Sequence, residues 1–218
     1  MTPADSYSAH PPGRESWPAA WARPGFRWRL GTVLLLLLTL LAVVPDFYRF
    51  VQARPGRVLA DPLLALLPVR DVSAPVFTLI YTSVVAALVY LVPRPLLLLR
   101  ALWAYLLLQY LRMMTLWLWP LDPPTDLVLL RDPVVDRLFQ VTTQPVVRDL
   151  FFSGHTATMV LLVLAVRGRG RRRALGIATA VVALFVLVQR VHYSYDVLAA
   201  PLFAWLAYWT AGRISRVA

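Results

Sequence analysis

Six stretches of this chain are apolar over lengths close to the width of a bilayer: roughly 29–50, 72–93, 95–119, 151–167, 174–191 and 195–212. A helix needs about 17–25 such residues to cross the hydrocarbon core. Backbone in hydrocarbon must also satisfy its own hydrogen bonds, which restricts spanning segments to helices and closed barrels. Stretches this long predict an all-α integral membrane bundle of six helices. The fourth and sixth are short and carry polar residues in their first turns. The chain is 59% hydrophobic and only 15% charged, with a mean hydropathy of +0.64. A soluble globule of 218 residues buries about 70% of its surface and cannot hide that much Leu, Val and Ala. A disordered chain would need far lower hydrophobicity. Cysteine is absent, which excludes disulfides, zinc–thiolate sites and cysteine nucleophiles.

Residues 1–28 are rich in Pro, Ser and Arg, lack apolar periodicity and read as a disordered cytoplasmic tail. Residues 29–218 read as one six-span catalytic domain. The first stretch follows a long tail and has no small-x-small cleavage site after Val44, so it reads as an anchor rather than a signal peptide. The net charge of +11 comes from arginine, lysine being absent. The arginines flank apolar stretches, a pattern that suits a membrane surface rather than nucleic acid. An even number of spans puts both termini on one side. With the termini inside, twelve arginines fall inside and eight outside, and every acidic residue except Asp5 and Glu15 falls outside. The positive-inside rule then predicts a multi-pass cell-membrane protein with cytoplasmic termini.

Three histidines exist, His10, His155 and His192. His155 lies in Asp149-Leu-Phe-Phe-Ser153-Gly154-His155-Thr156, where the fourth span begins. His192 lies in Arg190-Val-His192-Tyr-Ser-Tyr-Asp196, where the sixth begins. Both starts share the outer face. His192 and Asp196 are four apart, which on a helix gives them one face. A carboxylate accepting from one imidazole nitrogen fixes the tautomer and leaves the other nitrogen as nucleophile or base. Ser153-Gly154 opens a helix, whose free N–H groups and dipole favour a phosphate. His155 beside such a phosphate suits protonation of a leaving oxygen.

Ser153-Gly154-His155-Thr156 followed by His192-Tyr-Ser-Tyr-Asp196 resembles the sphingomyelin synthase-like branch of the type 2 phosphatidic acid phosphatase superfamily. The resemblance extends through Asp149, Pro120-Leu-Asp-Pro-Pro124 and Arg112-Met-Met-Thr115, with a weaker echo at Asp61-Pro62, and covers about residues 58–212. It implies a six-helix membrane fold and histidine-dependent attack on a lipid phosphoester. His192 would be the nucleophile that forms a phosphohistidine, Asp196 its orienting partner and His155 the acid–base partner. Asp149, Ser153 and Gly154 would position the phosphate. The implied activity is transfer of a phospho-headgroup to a lipid hydroxyl, or hydrolysis of a lipid phosphate if water is the acceptor. Membrane lipids are the implied partners, and neither metal nor cofactor is called for. The chain departs from the wider superfamily in lacking its Lys-x6-Arg-Pro motif, and its only arginine near the nucleophile is Arg190.

Arg112 and Arg190 are the candidates for the phosphate clamp. Arg112 lies inside the third span, where an arginine costs at least about 2.5 kcal/mol and must pair or face a cavity. It either binds the lipid phosphate, pairs with an outer-loop aspartate or snorkels outward. Arg100, near the inner end, reads as snorkelling. Trp28, Tyr48, Trp117 and Trp119 read as aromatic-belt anchors. Two other chemistries compete. Ser153-Gly154 with His192 mimics a rhomboid-like intramembrane protease, but that family has Gly two residues before its serine, where this chain has Phe151. A bis-histidine haem protein would place its ligands deeper in the spans.

Overall fold

A computed structural model describes residues 16–132 and 146–216. Among them it is all-helical, without β-strands; one isolated parallel bridge pairs Arg57 with Leu121. The elements are α1 (Trp17–Trp21), α2 (Pro24–Ala53), α3 (Pro62–Ala65), α4 (Ser73–Leu91), α5 (Pro95–Leu118), α6 (Gly154–Ala165), α7 (Arg169–Val188) and α8 (Ser194–Ile214). Six of these correspond to the six apolar stretches. Their alternating direction puts every described acidic residue at one end of the bundle, and Arg94 and Arg167–Arg173 at the other.

Four helices, α2, α4, α5 and α8, are long and apolar enough to cross a membrane. The last stretch, short by sequence, is a helix of 21 residues, because Pro201 is absorbed in its interior. The fourth contracts instead. Val166 is extended and Gly168 takes φ 99°, which ends α6 after 12 residues. At 1.5 Å per residue α6 is about 18 Å long, shorter than the roughly 30 Å hydrocarbon core. Of the tail read at 1–28, residues 1–15 lie outside the described residues, as does His10. From Ser16 onward the chain is helical: Pro18 and Pro24 start α1 and α2, whose register their fixed φ favours. Trp17 Nε1 donates to the Val92 carbonyl, tying α1 to the α4–α5 turn.

Packing follows side-chain size. α8 buries Ala200, Ala204, Ala207 and Ala211 on one stripe, against Ala104 and Leu108 of α5 and Ala157 and Leu161 of α6. Small residues let helix backbones approach closely where lipid offers no hydrophobic drive. A second cluster joins α4, α6 and α7 through Val76, Ile80, Met159, Leu162, Val182 and Val186. α2 packs on α5 through Phe26, Leu30 and Val33 and leaves Leu34, Leu35, Leu38 and Leu41 exposed. On a soluble protein such a face would drive association; here it is a lipid-facing surface.

Candidate active site

The segment joining α7 to α8 carries His192, and α8 begins only at Ser194. The two residues of the His192–Asp196 pair are therefore not stacked on one helical face, as four-residue spacing suggests. Asp196 is the third helical residue and reaches back over the helix start. Its Oδ2 accepts from Tyr193 N at 3.1 Å and meets His192 Nδ1 at 3.2 Å. Its Oδ1 accepts from Phe151 N at 3.2 Å, and its backbone carbonyl accepts from Ser153 N at 3.0 Å. Asp196 thus ties the approach to α6 to the start of α8. His192 and Asp196 are both buried.

Ser153 is the N-cap of α6, its Oγ accepting from Thr156 N at 3.3 Å. The first N–H groups of a helix lack intrahelical partners, so those of Gly154 and His155 are available to an anion. His155 packs edge-on against Phe77, with ring centres 5.8 Å apart, and its ring centre lies 6.3 Å from that of His192. Its Nδ1 is buried without a hydrogen-bond partner among the described residues. Among the described residues, Phe151 and Arg190 are the two non-glycine residues with positive φ, 102° and 60°. One lies shortly before each histidine, and such strain persists only where surrounding structure over-determines it.

Arg112 is buried and forms an ion pair with Asp149. It also donates to the Phe152 carbonyl at 2.6 Å. Asp149 Oδ1 accepts in addition from Tyr48 Oη at 3.3 Å. Burial opposes ionisation of Asp149, but the adjacent guanidinium more than offsets it and holds the carboxyl below the usual carboxylate range. Arg112, Asp149, Gly154 and His155 line one end of a cavity of about 500 Å³. Its walls are otherwise mostly apolar, running along Ile80, Ala87 and Leu91 of α4, Leu98 and Leu102 of α5, and Leu161 and Leu162 of α6. His192 and Asp196 do not line this cavity; His192 stands behind His155.

Arg190 is not brought to the cavity. Its guanidinium donates to the Leu67 carbonyl at 3.0 Å and approaches Asp126 at 3.3 Å, fastening the segment before His192 to the outer loops. Tyr48, read as a belt residue, belongs instead to the Asp149 network, and Trp119 stacks on Phe151 at 5.2 Å. Arg100, read as snorkelling, donates to the Tyr208 carbonyl and lies 3.8 Å over the Tyr208 ring. The outer loop at 59–61, marked in the sequence by no more than the weak Asp61-Pro62 echo, also supports the site. Leu59 N donates to Tyr193 Oη at 3.1 Å, and Asp61 accepts from Ser194 N at 2.6 Å and Ser194 Oγ at 3.0 Å. Tyr195 Oη donates to Ala60 O at 3.5 Å. All three residues between His192 and Asp196 are thus docked on one loop. The only sequence signal for this was Asp61-Pro62, an N-cap followed by proline.

Both histidines, Ser153, Gly154 and Asp196 fall within one continuous segment that the comparison with known families covers. Residues 148–212 match the family model described as PAP2 superfamily C-terminal. The match supports a relationship to the type 2 phosphatidic acid phosphatase superfamily across the stretch that carries the polar constellation. No curated protein and no solved structure matches the chain.

Proposed function

We propose that this chain is a membrane-embedded lipid phosphotransferase working through a phosphohistidine on His192, with its site on the extracytoplasmic side and its termini in the cytoplasm. The observation that carries this reading is His155 at the polar end of a long apolar cavity, with His192, held by Asp196, directly behind it. A phospholipid fits such a space, with its phosphate at the start of α6 and an acyl chain along α4 and α5.

In the proposed reaction Nδ1–H of His192 donates to Asp196, which leaves Nε2 with its lone pair. Nε2 attacks phosphorus, the P–O bond to the glycerol oxygen breaks, and His155 donates a proton to that oxygen. The acceptor hydroxyl then gives its proton to His155 and attacks phosphorus, and the P–N bond returns its electron pair to Nε2. The N–H groups at the start of α6 and the Arg112 charge beneath Gly154 offset the phosphate's negative charge. The preferred acceptor is a lipid hydroxyl, as in sphingomyelin synthase-like transfer. The family match supports phosphatase and phosphotransferase activities alike, and hydrolysis of a lipid phosphate is the second reading.

The test is to give the purified protein labelled phosphatidylcholine, phosphatidylethanolamine and phosphatidic acid, with and without ceramide. Transfer products that require ceramide support the first reading; free phosphate from phosphatidic acid supports the second. His192→Ala is expected to abolish either activity and the acid-labile phosphoenzyme. Wild-type rates in His192→Ala on every active substrate would overturn the mechanism.

A further inference from the structure

At the end of the bundle opposite His155, two arginines from different elements converge on one ring. The guanidinium carbon of Arg94, in the α4–α5 turn, lies 3.9 Å from the centre of the Tyr90 ring, and that of Arg171, on α7, lies 4.6 Å from it. Each is also fixed by a backbone carbonyl. Arg94 donates to Tyr90 O, and Arg171 Nε donates to Arg167 O at 2.9 Å. Gly168 permits this arrangement: with φ at 99°, it forms the turn, and a Cβ there would stand 2.9 Å from an Arg171 nitrogen. An arginine has five N–H donors, so both guanidinium groups keep donors beyond these carbonyls. Neither forms a salt bridge among the described residues, and every described acidic residue lies at the other end of the bundle. Two guanidinium groups on one ring, with no carboxylate beside them among the described residues, suit an external anion.

The surroundings specify the kind of anion. Beside Tyr90, α4 exposes Val85, Leu88 and Val89, and the turn exposes Val92. Fixed cationic donors next to an exposed apolar flank match a phosphate joined to acyl chains rather than a free phosphate. We propose that Arg94, Arg171 and Tyr90 form a binding site for the phosphate of an anionic phospholipid, distinct from the histidine site. This assignment stands whether or not the histidine chemistry is as proposed.

The experiment uses the full chain in neutral detergent, with its melting temperature followed as phosphatidylglycerol, phosphatidylcholine or inorganic phosphate is added. Phosphatidylglycerol is expected to raise the melting temperature by several degrees through preferential binding to the folded state, with the other two giving little. The double variant R94Q/R171Q should lose that response. R169Q/R173Q, which removes the same charge from neighbouring positions of α7, should keep it. Should R94Q/R171Q fail to fold, R171Q alone, at an exposed side chain, should lose at least half of the response. Three results would overturn the proposal: equal loss in R169Q/R173Q, an equal response to inorganic phosphate, or no response to phosphatidylglycerol in the wild type.

Discussion

Gly154 is the surface against which the Arg112 guanidinium lies: a Cβ at position 154 would stand 2.6 Å from Cζ and 2.7 Å from a terminal nitrogen. The glycine of Ser153-Gly154-His155-Thr156 is therefore required by a residue 42 positions earlier, on another helix. Helix propensity alone says that Gly154→Ala stabilises α6 by up to about 1 kcal/mol. The contact says the opposite, because Arg112 is fixed by Asp149 and Phe152 and has little room to retreat. Gly154→Ala is expected to lower the melting temperature and to reduce turnover at least tenfold. A raised melting temperature with full activity would show that Arg112 moves aside freely.

The Arg112–Asp149 pair makes a pH-dependent contribution with a definite sign. The Asp149 carboxyl ionises below its ordinary range in the folded chain. Its stabilisation is therefore fully present above the unfolded value near 4 and is lost as pH falls through the lower folded value. Asp149→Asn leaves a buried guanidinium without its counter-charge, a change that costs about 3 kcal/mol in comparable settings. Melting curves from pH 7 down to pH 3 should show wild type well above Asp149→Asn at neutral pH. The gap should persist to about pH 4 and close only below it.

His155 and His192 are expected to differ in their dependence on the leaving group. If His155 protonates the departing oxygen, a leaving group of low pKa needs it little. His155→Ala should then slow a natural phospholipid by two or more orders of magnitude, and a p-nitrophenyl phosphoester far less. His192→Ala should abolish both, since attack is needed whatever leaves. Equal losses on the two substrates for His155→Ala would assign His155 to phosphate binding instead.

The division of charge between the two ends of the bundle predicts orientation. A periplasm-active alkaline phosphatase fused after Ala218 is expected to be inactive, and one inserted in the loop near Asp132 active. The reverse pattern would move the histidine site to the cytoplasmic face.

The helical class and the four helices long and apolar enough to cross a membrane were legible from apolar run length, because hydrocarbon leaves the backbone little choice but to bond within each segment. The fourth stretch was legibly short, but its contraction to the 12 residues of α6 was not, since its end depends on the turn at Val166–Gly168 rather than on any loss of hydrophobicity. The opening of a helix at Ser153-Gly154 was legible too, because capping is a local contest between a side chain and the next few N–H groups. The association of His192 with Asp196 was legible by spacing but for the wrong reason, since the carboxylate caps its own helix and reaches a histidine outside it.

What the sequence determined by itself is whatever depends on neighbours along the chain: the spans, the caps, the clustering of arginine at one end and the motif residues around each histidine. What only the tertiary structure decided is which polar groups meet across helices. Arg112 had three readings, and its pairing with Asp149, which also accepts from Tyr48, was decided by the approach of α2 and α5 to the loop before α6. Arg190 sat two residues from His192 in sequence, yet the positive φ at its own position turns the chain and sends its side chain to Leu67 and Asp126. Asp61 carried almost no local signal, and its role at Ser194 emerges only when loops 133 positions apart are packed together. A buried polar group must find a partner wherever the fold offers one, and that choice is made by the packing of helices, which no stretch of sequence contains.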